Sequence, residues 1–519
     1  MKDGFKPRKY QENLYEGAKD ESTLIVLPTG LGKTIVAAMI IDYVIQDEED
    51  TCLFLAPTRP LVEQHVETIR DFIPRLGGWT MAVDGSIKPE KREQIVSMNR
   101  VICATPQTIR NDIQDERIDL SKVKLLVIDE AHRAVGNYAY TDICSWYGTR
   151  PRSQILSLTA SPGDDEKKIR EILHNVRAEN LLYKRRDDED VEPYTHETDI
   201  DFQEVKLGPG LKDVKTFLNS SFKQKVEKAV KLGYVRDNKG KHSRTVLLKY
   251  MRSLQAKVSN GEKHHRIFQT MSLIAEALKI QHAIGLVESH GLQPLQEYFD
   301  GVKKDAEKGA SKAVQKLLDD GYFQAAMKLT ERLLDNGYEH PKFDKLRKLV
   351  HKQIEKKENS KIIIFTQYRD AATAIVDKLT EEGVSSHIFV GQSKKKGTGL
   401  TQTEQKEVLS DFREASFTCL VSTSVGEEGL DIPQVDLVVF FEPVPSAIRT
   451  VQRRGRTGRK HVGKVITLVT KDTRDEAYRW SSHHKEKNMY KAIESVKKKL
   501  HGDSEEKSDE NDQKTLSDF

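Results

Sequence analysis

Short apolar runs alternate with amphipathic stretches over two parts of the chain, and this alternation predicts parallel β-sheets covered by helices. Each apolar run is bounded by turn residues, as expected for a buried strand. The sequence therefore predicts an α/β fold with two parallel-sheet domains. The predicted strands are 23–27, 52–56, 80–83, 100–104, 125–129 and 154–159 in the first domain, and 361–366, 386–390, 418–422, 436–441 and 464–468 in the second.

The segment between the two alternating parts has a different pattern. A charged stretch at 184–201 reads as a linker, and from about Val205 to Tyr338 apolar residues recur at helical spacing, for example at Leu211, Val214 and Leu218. This spacing predicts an all-helical insertion. The predicted division is 1–200 for the first α/β domain, 201–345 for the helical insertion, 346–495 for the second α/β domain and 496–519 for a disordered acidic tail.

The charge balance excludes a chain that is basic throughout. There are 84 Lys and Arg residues against 80 Asp and Glu residues, so any nucleic-acid-binding surface must be local. The four cysteines form no C-x-x-C pair, which argues against a zinc ribbon and fits a reducing cytoplasm. No secretory leader or membrane-spanning run is evident, and we expect a soluble intracellular protein.

A phosphate-binding loop is predicted at residues 27–34, between the first strand and an apolar helix. Glycines let backbone N–H groups surround an anion, the lysine reaches the outer phosphates, and the threonine hydroxyl can hold Mg²⁺. Leu27 occupies the position of the first glycine of the general pattern, and a fortuitous glycine-rich turn is the alternative. The predicted ATP-binding residues of this loop are Thr29, Gly30, Gly32, Lys33 and Thr34.

Two adjacent carboxylates follow a buried strand in the sequence Asp129-Glu130-Ala131-His132. Asp129 is placed to hold Mg²⁺, and Glu130 to orient and deprotonate the water that attacks the γ-phosphate. This D-E-A-H sequence resembles that of superfamily 2 helicases. The resemblance implies two RecA-like lobes that share one ATP, with magnesium as the metal.

Further short sequences resemble helicase motifs in the expected order. By this resemblance Arg8 and Gln11 recognise adenine, with Arg8 or Tyr10 stacking nearby, and the segment 159–161 couples hydrolysis to strand movement. The motif at 422–431 adds Gly429 and Asp431 to the nucleotide site. The residues implied in gripping the nucleic-acid backbone are Thr58, Arg59, Thr105, Gln107, Thr366, Gln367 and Thr423.

The segment 452–459, Gln-Arg-Arg-Gly-Arg-Thr-Gly-Arg, completes the implied catalytic set with Gln452, Arg456 and Arg459. Arginines on a glycine-turned segment can contact the triphosphate from the opposite side of a cleft. Together with Lys33, Asp129 and Glu130 of the first lobe, these residues would form one ATP site. Neither lobe should then hydrolyse ATP well alone. A purely nucleic-acid-binding arginine cluster is the alternative.

The order of lobe, insertion and lobe over about residues 5–490 resembles the archaeal Hef and eukaryotic FANCM helicases. Supporting segments include 391–392, 402–405 and 441–449. The resemblance implies action on forked or branched DNA in replication-fork repair and recombination. The chain carries no XPF-type nuclease motif, so we expect the helicase portion only.

The insertion contains a basic stretch from Arg236 to Arg266, with nine Lys or Arg residues against two acids. The family resemblance implies a thumb-like domain that grips DNA, although a charge run is more simply a solvated face. Separating strands costs roughly 1.4 kcal/mol per base-pair step, which a triphosphate motor would supply. The predicted contacts are Arg236, Lys241, Arg244, Lys249 and Arg252.

The last residues contain a pattern that resembles the peptide by which proteins dock onto the replication sliding clamp. Gln513 is followed by Leu516 and Phe519, but the second terminal aromatic residue is missing. A mobile acidic tether that ends in apolar anchors would suit such docking.

Two other functions remain open from the sequence. Dicer-type and RNA-sensor motors share this domain order, so a duplex-RNA-stimulated ATPase is the first alternative. A nucleotide-switched binding scaffold without turnover is the second. The complete set of Lys33, Asp129, Glu130, Arg456 and Arg459 favours an enzyme over the scaffold.

Overall fold

The computed structural model describes residues 1–28, 30–149, 153–194, 200–238, 242–309, 312–390, 399–423, 435–443, 464–476 and 487–500. Two parallel β-sheets lie in the parts of the chain where the apolar alternation predicts them. A helical region separates the two sheets along the chain. The predicted fold class is confirmed.

The first sheet has seven strands in the order β3-β4-β2-β5-β6-β1-β7, and every pair is parallel. Strand β1 therefore lies inside the sheet, between β6 and β7. Its four residues are all buried, because helices cover both faces of the sheet. The strands are β1 (Thr23–Val26), β2 (Thr51–Leu55), β3 (Thr80–Val83), β4 (Val101–Ala104), β5 (Val123–Ile128), β6 (Gln154–Thr159) and β7 (Asn180–Tyr183).

Helices of the first lobe start close to the carboxyl ends of the strands. Apolar side chains on the two faces of the sheet form two separate core clusters. Several helices have proline in their first turn, where its missing N–H costs no intrahelical hydrogen bond. The helices are α1 (Lys9–Glu16), α2 (Lys33–Val44), α3 (Arg59–Phe72), α4 (Pro74–Gly77), α5 (Pro89–Met98), α6 (Pro106–Gln114), α7 (Ala139–Tyr147) and α8 (Glu166–Asn175).

The helical region packs as two clusters. One joins α9 to α11, α12, α13 and α14, and the other joins the far end of α9 to α10 and the start of α11. Lys225 anchors α9 in the interior, because its Nζ contacts Glu276 at 2.9 Å and Asp320 at 3.2 Å. The helices are α9 (Pro209–Lys231), α10 (Arg244–Ser259), α11 (His265–Ser289), α12 (Leu292–Glu307), α13 (Lys312–Leu318) and α14 (Gly321–Asp335).

The second sheet has six strands in the order β10-β11-β9-β12-β13-β8, again all parallel. Helices α15 and α16 pack on one face of it, and α17 contributes to the core on the other. The remaining elements are β8 (Ile200–Val205), α15 (Pro341–Lys356), β9 (Ile362–Phe365), α16 (Arg369–Glu381), β10 (Ser386–Phe389), α17 (Gln402–Arg413), β11 (Cys419–Ser422), β12 (Leu437–Phe440) and β13 (Lys464–Thr470).

Strand β8 lies where the sequence predicts the end of a linker and the start of the helical insertion. It instead pairs with β13 over six residues and forms an edge of the second sheet. Residues 201–205 therefore belong with the second sheet and not with the insertion. Helix α15 likewise begins at Pro341, before the predicted boundary at 346, and packs in the second core through Phe343. Hydrogen bonding to a strand more than 250 residues away decides the placement of β8, and local sequence cannot show it.

Residues 487–500, which follow the second sheet in the chain, form a further helix, α18. This helix returns to the first lobe. Met489, Ile493 and Val496 are fully buried in the same core cluster as residues of β5, β6, α7 and α8. No helix in the described parts of the chain is both long and apolar enough to cross a lipid bilayer.

Candidate active site

The predicted phosphate loop connects the end of β1 to the start of α2. Gly30 and Gly32 have φ values of 87° and 76°, in the left-handed region that glycine adopts without a steric penalty. A Cβ at Gly32 would lie 2.7 Å from Gln11 Nε2, so a larger residue would also displace the Gln11 amide. These observations explain why both positions are glycine. Thr29 lies outside the described residues.

Helix α2 begins at Lys33 and presents its N-terminal turn to the loop. Backbone N–H groups in the first turn of a helix have no intrahelical partner, and the helix dipole favours an anion there. No acidic residue stands in this turn. Lys33 Nζ donates a hydrogen bond to the Leu27 carbonyl at 3.2 Å, which folds the half-buried side chain back over the loop. Thr34, the predicted Mg²⁺ ligand, is half-buried beside it.

Residues 8–11 contact the same loop. The Arg8 backbone N–H donates to Gln11 Oε1 at 2.9 Å, and Gln11 Nε2 donates to the Leu31 carbonyl at 3.4 Å. Tyr10 is fully buried, and its hydroxyl donates to the same carbonyl at 2.9 Å. Of the two alternatives for stacking near the base, Arg8 or Tyr10, the burial of the Tyr10 ring in the core disfavours Tyr10. The Arg8 guanidinium lies 4.9 Å from the ring centroid of Tyr194.

Asp129 follows β5 and is held by a histidine that sequence reasoning missed. His65 Nε2 on α3 lies 2.9 Å from Asp129 Oδ2, and both side chains are buried. The His65 ring packs on Phe54 of β2 at 4.3 Å between centroids. The sequence signal for this contact is a histidine within the apolar stripe of α3, next to Leu61, Val62, Val66 and Ile69.

The environment of Asp129 favours its ionised form. Burial by itself opposes ionisation, but the hydrogen bond and charge of His65, the charge of Lys33 and the Glu130 backbone N–H together hold the pKa of Asp129 below its ordinary value. The Glu130 N–H donates to Asp129 Oδ1 at 2.9 Å. Tyr140 fixes the backbone, since its hydroxyl donates to the Asp129 carbonyl at 2.7 Å.

Glu130 has a left-handed backbone, with φ of 52° and ψ of 47°. Left-handed conformations are uncommon for residues other than glycine and concentrate at functional sites. Glu130 Oε2 is buried and accepts no hydrogen bond within the described structure, although His132 Nδ1 lies 3.2 Å away. A buried carboxylate oxygen without a donor fits a water molecule as its partner.

His132 connects the D-E-A-H sequence to the segment 159–161. His132 Nδ1 lies 3.2 Å from Thr159 Oγ1 at the end of β6, and the Ser161 backbone N–H donates to the same hydroxyl at 3.2 Å. The structure thus brings Glu130, His132, Thr159 and Ser161 into one chain of polar contacts.

The residues present fit a hydrated Mg²⁺ between Thr34 and Asp129. Asp129 is anionic, Thr34 offers a hydroxyl oxygen on the first turn of α2, and Glu130 Oε2 lacks a hydrogen-bond partner within the described structure. Magnesium prefers oxygen ligands and keeps several waters, so few protein ligands are needed. Among the described residues no group of three or more His, Cys, Asp or Glu side chains has metal-binding geometry.

The predicted nucleic-acid contacts of the first lobe lie at strand-to-helix junctions. Thr58 and Thr105 are the N-cap positions of α3 and α6 and are both half-buried. Arg59 Nε lies 3.5 Å from Asp84 Oδ1, and Thr105 Oγ1 lies 2.8 Å from Thr108 Oγ1. Gln107 is exposed.

The predicted site residues of the second lobe differ in their exposure, and several lie outside the described residues. Thr366 is fully buried and its hydroxyl donates to Glu442 Oε1 at 3.2 Å, so the hydroxyl serves the protein interior here. Thr423 is also buried, whereas Gln367 is half-buried. The predicted residues Gly429, Asp431, Gln452, Arg456 and Arg459 lie outside the described residues.

The basic residues of the insertion are on its surface. Arg236, Arg244, Lys249 and Arg252 are all exposed, and Lys241 lies outside the described residues. At about 100° per residue, Lys249 and Arg252 lie on the face of α10 opposite the buried Leu247 and Leu254, and Arg244 lies at the edge of the same exposed face. The same face carries the exposed Leu248.

Comparison with known proteins accounts for this arrangement. The DEAD/DEAH box helicase family model matches residues 8–169, and the helicase conserved C-terminal domain model matches residues 341–461. A third model, of an ATP-dependent RNA helicase helical bundle, matches residues 210–334. A similar solved structure is the crystal structure of the Pyrococcus furiosus Hef helicase domain, with 40% identity, a TM-score of 0.68, and coverage of 92% of this chain and 98% of that one.

This chain belongs to the Hef/FANCM family of superfamily 2 helicases. Among curated family members, a Methanocaldococcus jannaschii protein named as an ATP-dependent RNA helicase is 36% identical over 94% of this chain and 61% of its own length. The Drosophila melanogaster DEAD-box ATP-dependent DNA helicase Fancm is 31% identical over 89% of this chain and 33% of its own. The chain thus spans one third to three fifths of these two relatives.

Proposed function

We propose that this chain is an ATP-dependent DNA helicase or translocase that acts on forked or branched DNA in replication-fork repair and recombination. The observation that carries the proposal is the Asp129 site. It combines an ionised buried carboxylate held by His65, the adjacent phosphate-loop lysine, and a Glu130 oxygen without a donor. A pure binding scaffold would have no need of a buried carboxylate oxygen without a donor.

The side chains have distinct roles in the proposed hydrolysis. The loop glycines and the first turn of α2 hold the phosphates, with Lys33 on the outer ones. Glu130 orients the attacking water and accepts its proton, and the left-handed backbone fixes the direction of its carboxylate. Arg8 and Gln11 hold the adenine. Gln452, Arg456 and Arg459 complete the site from the second lobe, with Gly429 and Asp431 on the nucleotide.

Thr34 and Asp129 would hold Mg²⁺, with Asp129 acting through water. Bound there, the ion would supply positive charge that offsets the negative charge of the nucleotide phosphates. His65 keeps the Asp129 carboxylate in a single orientation through the 2.9 Å contact. Outer hydrogen bonds of this kind typically support metal affinity.

DNA is proposed to bind across both lobes and the insertion. The strand-end residues Thr58, Arg59, Thr105 and Gln107, with Gln367 and the backbone around Thr366 and Thr423, would hold phosphates. The basic face of α10 would contact the duplex near a junction. Hydrolysis should then depend on the polymer, because each lobe supplies only part of the ATP site.

The four cysteines are buried and free, as suits a reducing cytoplasm.

The test is ATP hydrolysis and strand separation across forked DNA, Holliday junctions and duplex RNA. We expect forked DNA to stimulate hydrolysis most, and Glu130→Gln to lower the rate by roughly 10² to 10⁴ while ATP binding persists. Stronger stimulation by duplex RNA would replace the DNA assignment, which the name of the archaeal relative makes a real alternative. Undiminished hydrolysis by Glu130→Gln would overturn the catalytic assignment.

The proposal extends to the sliding clamp. Gln513, Leu516 and Phe519 lie outside the described residues, and the proposal rests on their sequence pattern alone. Calorimetric titration of the clamp with the last dozen residues should show binding in the micromolar range. No heat at high micromolar concentration would remove the clamp as a partner.

A further inference from the structure

A single carboxyl group joins two loops of the second lobe and faces the insertion. Glu442, two residues after β12, is 2% exposed. Its Oε1 accepts a hydrogen bond from the Thr366 hydroxyl at 3.2 Å and another from the Gln367 backbone N–H. Gln367 Nε2 also donates to the Pro443 carbonyl at 3.5 Å. The loop after β9 is thus attached to the loop after β12 by three hydrogen bonds.

The second oxygen of the same carboxyl faces the insertion. Glu442 Oε2 lies 3.9 Å from Nδ1 of His290, which directly follows α11. Neither atom has a hydrogen-bond partner within the described structure, and both are buried. The His290 ring packs edge-on against Tyr368 at 4.2 Å between centroids. His290, at the end of α11, therefore lies against both Tyr368 and the Glu442 carboxyl.

We infer that Glu442 is a positioning residue that fixes the Thr366–Gln367 loop for nucleic-acid binding and connects this loop to the root of the insertion. The inference rests on the proposed function, because it assigns Gln367 and the loop backbone to the nucleic acid. Thr366 has its hydroxyl committed to Glu442, which leaves Gln367 as the half-buried side chain of the pair. Loss of the carboxyl would remove the hydrogen bonds of the Thr366 hydroxyl and of the Gln367 backbone N–H at once.

The chemistry of the pocket fits a protonated carboxyl. The charged and titratable groups around it are His290 after α11, His340 and Lys342 at the start of α15, and Asp475 after β13. Burial raises the pKa of Glu442 to about 8, although Lys342 and the hydrogen bonds from Gln367 and Thr366 oppose the rise. Burial likewise lowers the pKa of His290 to about 3, so its ring is a neutral acceptor. A proton on Glu442 Oε2 would lie on the side of the carboxyl group that faces His290 Nδ1.

The decisive comparison is Glu442→Gln against Glu442→Ala. Glutamine keeps an oxygen for Thr366 and Gln367 and directs an N–H group toward His290, whereas alanine removes every contact. Asp112→Asn is the matched control, because Asp112 is also fully buried and accepts two hydrogen bonds from Arg92, at 2.6 and 2.5 Å, in the first lobe.

The first measurement is the forked-DNA concentration for half-maximal stimulation of hydrolysis. We expect Glu442→Ala to raise it about tenfold, as the loss of two hydrogen bonds would, and Glu442→Gln and Asp112→Asn to leave it within about twofold of the unsubstituted protein. An unchanged value for Glu442→Ala, or an equal rise in Glu442→Gln or in Asp112→Asn, would overturn the inference.

The second measurement separates this inference from the proposed function. Hydrogen–deuterium exchange at the Gln367 amide, without nucleic acid, should accelerate in Glu442→Ala and stay protected in Glu442→Gln and Asp112→Asn. If no nucleic acid stimulates the unsubstituted protein, the proposed function fails, while this exchange pattern still tests the positioning contact. Unchanged exchange in Glu442→Ala would refute the positioning role by itself.

Discussion

Ser161 and Met489 touch, although 328 residues separate them: the Ser161 hydroxyl donates to Met489 Sδ at 3.1 Å. Ser161 belongs to the segment that links the D-E-A-H sequence to strand movement in the proposed mechanism, and Met489 to α18. Lys499 on the same helix lies 2.8 Å from Glu166 at the start of α8. The chain thus returns from the second lobe to fill part of the first lobe's core.

Met489→Ala should destabilise the first lobe. Met489 is fully buried among apolar side chains, and such a truncation leaves a cavity that costs about 2 to 5 kcal/mol in the free energy of unfolding. Trp146 packs against the same cluster, so denaturation with urea followed by tryptophan fluorescence reports the change. Met98→Ala is the control, because Met98 is 70% exposed, and it should cost less than about 0.5 kcal/mol. Equal losses in both variants would contradict a core role for α18.

His65 should control the magnesium requirement. His65→Ala removes the partner of Asp129 Oδ2, and we expect a 10- to 100-fold (roughly) higher Mg²⁺ concentration for half-maximal hydrolysis. His65→Gln can place its amide nitrogen near the Nε2 position and should recover much of the loss. The measurement is the hydrolysis rate against Mg²⁺ concentration at saturating ATP and DNA. A magnesium dependence unaffected by His65→Ala would show that Asp129 needs no such support.

The strands with strong apolar runs could be predicted from the sequence, because most are buried along most of their length and all are bounded by turn residues; β3 and β10 are the less buried exceptions. Eleven predicted runs correspond to strands within two residues at either end. Strands β7 and β8 were missed. Both are edge strands, and β8, with the sequence Ile-Asp-Phe-Gln-Glu-Val, carries too many polar residues to resemble a buried strand. Its place is decided by pairing with β13.

The site residues likewise divide into those that the sequence alone could suggest and those that it could not. Gly32, Lys33, Asp129 and Glu130 could be predicted because their chemistry requires fixed residue types at short spacing. His65 could not, since it acts on Asp129 from 64 residues away. Spatial contacts of single side chains over such distances leave no local pattern. The roles of Lys33, Asp129 and Glu130, like those of Arg456 and Arg459, stay predictions.

The basic face of α10 should determine the salt dependence of DNA binding. Replacing Arg244, Lys249 and Arg252 by glutamine removes three exposed cations, and we expect the slope of log affinity against log salt to become shallower by about 2.7 for duplex-containing DNA. Fluorescence anisotropy over a salt series measures the slope. The matched control replaces Lys91, Lys167 and Lys328, which are exposed on other elements. If the control changes the slope as much, the attraction is general and α10 is not the DNA-binding face.

His340 should make the protein less stable in acid. Its Nε2 donates to the Glu288 carbonyl at 3.1 Å, and its Nδ1 accepts from the Lys342 N–H at 3.1 Å, an arrangement that requires the neutral ring. Burial, with the nearby charge of Lys342, lowers the pKa of His340 to about 3 from an ordinary 6.5. Because the pKa of His340 is lower in the folded protein, the unfolded chain binds the extra proton at a higher pH than the folded protein does. The stabilising contribution is therefore complete above pH 6.5 and is lost as pH falls from there toward about 3.

His340→Asn tests this dependence without removing the helix cap. Asparagine is favoured at the N-cap of α15 and does not titrate. Between neutral pH and about pH 5 the unsubstituted protein should lose about 2 kcal/mol more unfolding free energy than the variant, as measured by urea denaturation with circular dichroism. His265→Gln, at an exposed position, is the control and should follow the unsubstituted protein. Parallel pH curves for His340→Asn and the unsubstituted protein would mean that the His340 ring has the same protonation in the folded and unfolded states. That result would refute the linkage.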